Sequence, residues 1–186
     1  NSTYGLFVVT DLEGCINMLE NVQTFKYFNE INSPDEAYEL GKEMGILMNK
    51  LGFNLNFAPV VDLDDQIWKC RTFQGDAQNI AELAQAYTLG LQNQGVIATA
   101  KHYPGKTLVV KDPHKFIVTA DIEKKDILPY DFLINKVFFW RFFSVIIHRT
   151  YNNSFLQQLK CKNVLSIVVR VSPFNIRGGD VRIKGQ

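Results

Sequence analysis

Short apolar runs alternate along the chain with segments in which apolar residues recur every three or four positions. The runs have the length of buried strands, and the spaced segments have the period of helices. Strands are predicted at 6–10, 55–61, 96–100, 143–147 and 164–169. Because strands and helices alternate, the sequence predicts repeated β-α units around a parallel sheet.

The helix with the clearest boundaries is predicted to begin after Ser33. Ser33 can act as the N-cap, Pro34 suits the first helical position, and Glu36 stands where a capping box needs it. Gly52 can adopt the left-handed conformation that ends the helix. Further helices are predicted at 77–93, capped by Asp76, at 122–135, and over a short stretch at 155–159.

Five β-α units are too many for a hairpin module and too few for an eight-stranded barrel, which typically needs about 250 residues. The chain has 186 residues and contains no linker or low-complexity tract. We therefore expect an α/β fold in which residues 1–186 form a single incomplete domain.

Composition places the chain among ordinary globular proteins, with 46% hydrophobic and 21% charged residues. Its formal charge of +1 gives no reason to expect nucleic acid or a membrane surface as a partner. The longest apolar run, at 137–147, is shorter than the roughly 20 residues of a membrane span. The first residues show no basic region or cleavage site, so we expect a cytoplasmic location and a chain that begins inside a fold.

Cys15, Cys70 and Cys161 lie far apart and show no paired spacing. This pattern favours neither a disulfide framework nor a zinc cluster. We therefore expect all three to be ordinary buried thiols, and we expect no metal site.

Ionisable residues follow four of the predicted strands, where a parallel barrel would carry its active site. They are Asp11 and Glu13, then Asp62, Asp64 and Asp65, then Lys101 and His102, and finally His148. Any one of them could be a capping or loop residue. Their recurrence at successive strand ends predicts a shared polar site.

The most informative stretch is KHYPG at 101–105, which is followed by DPH at 112–114. Three segments precede it in order: DLEG at 11–14, LGFNLNFAPVVD at 51–62, and CRTFQ at 70–74. Together they resemble the β-N-acetylhexosaminidase branch of glycoside hydrolase family 3. There the corresponding motifs read D-x-E-G-G, L-G-I-N-x-N-F-A-P-V-x-D, G-R-S-F-G, and K-H-F-P-G followed by D-S-H.

The resemblance is good over 1–148 and fades over 149–186. It implies that the α/β fold is a partial TIM-type (β/α) barrel with about five β-α units present. It also implies a carbohydrate substrate and no metal or organic cofactor. The oligomeric state stays open.

The resemblance assigns sugar binding to five residues, which are Asp11, Arg71, Lys101, His102 and His148. A carboxylate, a guanidinium and an ammonium can orient a sugar through charge-assisted hydrogen bonds to its hydroxyls. By spacing alone, Lys101 and His102 would be interpreted as a solvated strand end, and Arg71 as part of a surface salt bridge worth little.

Asp112 and His114 match the dyad in which histidine, rather than a carboxylic acid, protonates the glycosidic oxygen. A carboxylate two residues away on the same loop can orient the imidazole and stabilise its charged form. Without the resemblance, His114 would be interpreted as an exposed loop histidine.

The family's catalytic nucleophile has no clear match, because Pro173 stands where the family has an aspartate. A retaining glycosidase needs that carboxylate to form its glycosyl-enzyme intermediate. Asp180 is a poor substitute, since its glycine-rich surroundings predict no supporting strand. The departure is compatible with an inactive relative, a truncated or frame-damaged reading of an active gene, or a mistaken alignment.

Two functions are therefore expected from the sequence. The first is hydrolysis of O-glycosyl bonds that releases terminal β-linked N-acetylglucosamine with retention, from peptidoglycan or chitin oligosaccharides. The alternative is a catalytically dead, carbohydrate-binding relative that lacks the nucleophile. A β-glucosidase-like relative is disfavoured by the DPH segment.

Overall fold

The computed structural model describes residues 6–15, 17–63, 65, 67–105, 123–136, 143–147 and 166–169. Several positions singled out above lie outside the described residues. They are Asp64, Asp112, His114, His148, Cys161, Pro173 and Asp180, together with the short helix expected at 155–159.

The centre of the fold is a parallel sheet in which sequence order and spatial order coincide, β1-β2-β3-β4-β5. Its strands are β1 (Val9–Thr10), β2 (Leu55–Asn56), β3 (Ile97–Tyr103), β4 (Phe143–Ile147) and β5 (Ser166–Val169). Each neighbouring pair is parallel. The prediction of an α/β fold with a parallel sheet is confirmed.

Strands β2 and β3 end at other residues than predicted. β2 ends at Asn56 instead of residue 61, and Pro59, which has no N–H, lies in the segment that follows. Val60 then bridges to both Thr72 and Lys101. β3 runs on to Tyr103, so Lys101 and His102 belong to the strand itself and not to a loop beyond it.

The three α-helices of the described residues begin and end close to the predicted positions. They are α1 (Pro34–Lys50), α2 (Ala77–Gln92) and α3 (Lys124–Lys136). Ser33 Oγ accepts a hydrogen bond from the Glu36 N–H at 3.2 Å, while the Glu36 carboxylate accepts from the Asn32 N–H at 2.9 Å. The capping box is thus shifted by one residue, and Gly52 follows the helix with the expected positive φ of 86°.

Helices α1 and α2 pack almost backbone to backbone. A methyl group at Gly41 would overlap the main-chain oxygen of Tyr87, and one at Gly90 would overlap that of Tyr38. Tyr87 in turn lies against Phe28, whose ring stacks on Phe73 with centroids 4.8 Å apart. This aromatic core supports the segments that carry the polar strand ends.

Cys15 and Cys70 form a disulfide, with their Cα atoms 5.5 Å apart and a sequence separation of 55. The expectation that both would be ordinary buried thiols was wrong. Their spacing along the chain gave no sign of the pair, because the fold brings together the segment after β1 and the segment before Arg71.

Among the described helices, none has the length and apolarity to cross a membrane.

Candidate functional site

Lys101 lies between two carboxylates from the segment that follows β1. Its Nζ atom makes ion pairs with Asp11 and, at 2.7 Å, with Glu13 Oε2. Since β1 and β3 flank β2 in the sheet, this contact spans three strands. The Lys101 and Glu13 side chains are 4% exposed, whereas that of Asp11 is 34% exposed. Asp11 is therefore the member of this group that faces solvent.

Arg71 continues the pattern from the other side of Glu13. Its Nη1 lies 3.3 Å from Glu13 Oε1, and its Nε and Nη2 each lie 2.7 Å from Asp65 Oδ2. The guanidinium carbon lies 4.5 Å from the centroid of the Trp68 ring, within the range of a cation–π contact. Nε and Nη1 thus donate hydrogen bonds, Nη2 contributes a charge contact to Asp65, and one face of the guanidinium is covered by Trp68.

The five side chains form a continuous row of alternating charge, which we call the charge row: Asp11, Lys101, Glu13, Arg71 and Asp65. Buried charges are tolerated only when each is paired with good geometry, because desolvation of a lone ion costs several kcal/mol. Every interior member of the charge row has an opposite charge on both sides. The arrangement therefore keeps two cations and their partners in place within a largely buried site.

Burial and pairing act in opposite directions on the central groups. Burial raises the pKa of the Glu13 carboxyl, and although Lys101 and Arg71 work against it, the pKa stays above its ordinary value. Burial works to lower the pKa of Arg71, but Glu13, Asp65 and Asp62 together raise it. Arg71 thus remains charged, as a guanidinium does in proteins.

His102 is held by a different carboxylate. Asp62 Oδ2 lies 2.6 Å from the ring Nδ1, and Asp62 Oδ1 accepts from the His102 main-chain N–H at 3.2 Å. A carboxylate at Nδ1 favours the tautomer with the proton on that nitrogen, which leaves the lone pair on Nε2. Asp62 therefore sets both the orientation and the tautomer of the imidazole.

Asn56 fixes the segment that carries Asp11 and Glu13. Its side-chain Oδ1 accepts from the Leu12 N–H at 3.0 Å, and its Nδ2 donates to the Leu12 carbonyl at 2.9 Å. Nδ2 also donates to the hydroxyl of Tyr87 at 3.1 Å. Since Leu12 stands between the two carboxylate residues, one fully buried amide positions both of them.

The structure brings together three of the predicted sugar-binding residues, Asp11, Arg71 and Lys101, in the charge row. His102 lies beside Lys101 in β3 but is paired with Asp62. The predicted residues Asp112, His114 and His148 lie outside the described part of the chain. Their placement stays a prediction.

Sequence reasoning gave no role to the carboxylates that organise these cations. The position of Glu13, Asp62 and Asp65 at strand ends was the signal that the sequence offered. The partner of Asp62 lies 40 residues away in sequence, and the Arg71 partner of Glu13 lies 58 residues away. Within the described residues, no three His, Cys, Asp or Glu side chains are grouped so that they could hold a metal ion. The site is built from ion pairs.

Replacing Arg71 with alanine should lower the free energy of unfolding by about 3–5 kcal/mol, because Glu13 and Asp65 are left buried without their cation. The matched control is Lys42→Ala, which breaks the exposed Lys42–Glu39 pair at 2.7 Å and should leave the free energy of unfolding almost unchanged, because exposed ion pairs contribute little. Urea unfolding of both variants measures the difference. Equal losses would show that burial does not set the energetics of the charge row.

Asn56→Ala should lower the free energy of unfolding by about 2–4 kcal/mol, because the Leu12 N–H and carbonyl lose their partners in a buried setting. Asn54 offers a control with the same chemistry, since its side chain contacts the Val8 N–H at 2.8 Å and the Leu6 carbonyl at 2.7 Å near the surface. Asn54→Ala should cost less than about 1 kcal/mol, because water can replace its contacts. A similar cost for both variants in urea unfolding would contradict the role given to Asn56.

Comparison with known proteins bears on this site as a whole. The sequence profile of the Glycosyl hydrolase family 3 N terminal domain matches residues 6–138, which include the whole charge row. A protein named Beta-hexosaminidase from Thiobacillus denitrificans is 34% identical over 113 residues, covering 54% of this chain and 32% of that protein. Beta-hexosaminidase LpqI from Mycobacterium tuberculosis is 35% identical over 109 residues, covering 54% of this chain and 28% of that protein.

Solved structures give the same result. The glycoside hydrolase family 3 β-N-acetylglucosaminidase from a Paenibacillus species superposes with a TM-score of 0.69 at 26% identity, covering 77% of this chain and 29% of that one. The structure of LpqI from M. tuberculosis gives a TM-score of 0.68 at 29% identity, covering 76% of this chain and 44% of that one. The chain thus spans about a third of the length of the curated relatives it matches. With the profile match extending over most of its length, the chain belongs to glycoside hydrolase family 3, in which it corresponds to the N-terminal domain.

Proposed function

We propose that the charge row forms the sugar-binding wall of a glycoside hydrolase that releases terminal β-linked N-acetylglucosamine with retention. The observation that carries the proposal is the convergence of Asp11, Lys101 and Arg71 through the shared carboxylate of Glu13. The relatives named as β-hexosaminidases support an enzyme over a carbohydrate-binding relative without activity. Peptidoglycan fragments and chitin oligosaccharides are the substrates that we propose.

The donors and acceptors left over in the charge row suit a polyhydroxylated ring. Asp11 is the most exposed carboxylate of the row, and it can accept hydrogen bonds from two neighbouring hydroxyls. Lys101 donates a hydrogen bond to Asp11 and makes an ion pair with Glu13. We propose that the remaining N–H donors of Lys101 and Arg71 face the sugar.

For the chemical step we propose His114 as the acid and base, with Asp112 orienting its imidazole. In the first step His114 protonates the glycosidic oxygen as the bond to the anomeric carbon breaks, and a carboxylate oxygen forms a bond to that carbon; no residue of this chain is assigned as that carboxylate. In the second step His114 accepts a proton from the water that releases the sugar. Because Pro173 stands at the position expected for the carboxylate, turnover by this chain is the decisive property to measure.

We further propose that the five-stranded sheet is part of a (β/α) barrel. The support is that consecutive strands from β1 to β5 are parallel neighbours, with α1 between β1 and β2 and α2 between β2 and β3. In such barrels the active site lies at the carboxyl ends of the strands. The charge row follows that rule, since Asp11 and Glu13 come directly after β1.

The proposed catalytic role of His114 is tested with a chromogenic N-acetylglucosaminide. The chain should hydrolyse it, and His114→Ala should lower kcat by at least about a hundredfold, because general acid–base catalysis contributes about 10² to 10⁴ in rate. Calorimetric titration with N-acetylglucosamine should show that the variant still binds the sugar. Binding without turnover in the unmodified chain would identify a carbohydrate-binding relative instead of an enzyme.

Asp11→Asn should weaken the affinity for N-acetylglucosamine by about tenfold or more, since a hydrogen bond to a charged group contributes about 1.5–3 kcal/mol. Asp131→Asn, which makes the same change on the exposed face of α3, should leave the affinity unchanged. Both affinities are measured by calorimetry. Equal affinities for the two variants would exclude Asp11 from the sugar site.

A further inference from the structure

The disulfide between Cys15 and Cys70 joins the two segments that meet in the charge row. Cys15 follows Glu13 by two residues, and Cys70 directly precedes Arg71. The same two segments are joined by the ion pair between Glu13 Oε1 and Arg71 Nη1 at 3.3 Å. A covalent link and an electrostatic one therefore act side by side on the same pair of loops.

The two loops already touch where the cross-link forms. Gly14 has a φ of 55°, and a methyl group there would lie 2.8 Å from Arg71 Cα and would overlap the main-chain oxygen of Cys70. The motifs that the two segments resemble carry glycine at both cysteine positions. This chain thus replaces two facing glycines with the two halves of one disulfide.

The disulfide lies beside the buried ion pair between Glu13 and Arg71, whose geometry it can fix. The Glu13 and Arg71 side chains are about 3–4% exposed, and the value of a buried ion pair depends steeply on its geometry. Both cysteines are only half-buried, so a small dithiol can reach them. The rest of the charge row is attached to these loops, since Glu13 also contacts Lys101.

We propose that the Cys15–Cys70 disulfide is a redox-sensitive positioning element, which holds Arg71 against Glu13 when oxidised and releases it when a dithiol reduces the bond. One thiolate of the dithiol attacks a sulfur of the disulfide, breaks the S–S bond and forms a mixed disulfide. Its second thiolate then displaces the remaining cysteine. Both cysteines end as thiols. The dithiol is oxidised to a disulfide, and its two electrons and two protons pass to the cysteines.

The consequence for the sugar site rests on the proposed function. The oxidised chain binds N-acetylglucosamine with the charge row assembled, and the reduced chain binds it more weakly. Disulfides persist in oxidising compartments and are rare in the cytosol. The cytoplasmic location expected from the sequence stays a prediction, and in that compartment the chain would hold its weaker-binding form.

The experiment uses the full chain with Trp140→Phe, which leaves Trp68 as the one tryptophan of the two in the sequence. Because the Trp68 ring contacts the Arg71 guanidinium, its emission maximum reports the position of that segment without any ligand. Emission, far-ultraviolet circular dichroism and calorimetric affinity for N-acetylglucosamine are measured before reduction by dithiothreitol, after it, and after reoxidation. Peptide mapping without reductant identifies the linked cysteines.

Reduction should shift the Trp68 emission maximum and raise the Kd for N-acetylglucosamine at least fivefold, and reoxidation should reverse both. The circular dichroism should not change. A variant with Cys15→Ser and Cys70→Ser should resemble the reduced protein and ignore dithiothreitol, whereas Cys161→Ser should behave as the unmodified chain. If the double variant fails to fold, the reversible change in the unmodified chain decides.

The absence of a Cys15–Cys70 peptide, an emission maximum that reduction does not move, or loss of the circular dichroism on reduction would each overturn the proposal. An emission shift with an unchanged Kd would overturn the coupling to the sugar site. If no form of the chain binds N-acetylglucosamine, the proposed function fails. The Trp68 emission alone then decides whether the disulfide positions Arg71.

Discussion

The carboxylate of Glu13 is shared by two cations, Lys101 from β3 and Arg71 from the segment after β2. Without it, Lys101 would keep only Asp11 as a partner and Arg71 only Asp65, and a buried charge costs several kcal/mol unless it is well paired. The requirement for matched geometry therefore constrains three separate segments at once. That requirement is met by the sheet, by the aromatic core and by the contacts that join the loops, which together hold the three segments in place.

The scaffold holds the Glu13 segment by two unlike means. The amide of Asn56 binds the Leu12 backbone from the sheet side, and the disulfide between Cys15 and Cys70 ties the far end to the Arg71 segment. Asn56 is itself linked through Tyr87 to α2, which packs closely on α1. The packing of α1 on α2 thus fixes Tyr87, Tyr87 contacts the Asn56 amide, and the amide holds the segment that carries Asp11 and Glu13.

Local signals were enough to predict the helices and the class of fold. Ser33 and Asp76 cap α1 and α2 as expected, since capping depends on residues three positions apart. The clustering of polar side chains also followed from the rule that parallel strands end on one side of a sheet. For Asp11, Arg71 and Lys101, that rule and the family resemblance together predicted a common site.

Contacts between residues far apart in the chain could not be predicted from local sequence patterns. The cysteine pair spans 55 residues and the Glu13–Arg71 contact 58, so no local spacing reveals either. The end of β2 was also misplaced, because the apolar run continues past Asn56 while Pro59 cannot donate to a ladder. The same apolar pattern therefore predicted a strand longer than the backbone can form.

A crystal structure of the chain with N-acetylglucosamine would show whether the charge row receives the sugar. We expect a sugar hydroxyl within about 3 Å of the Asp11 carboxylate, with Lys101 and Arg71 on the same side of the ring. A sugar bound away from these three residues, with no contact to the charge row, would show that the charge row is not the sugar site.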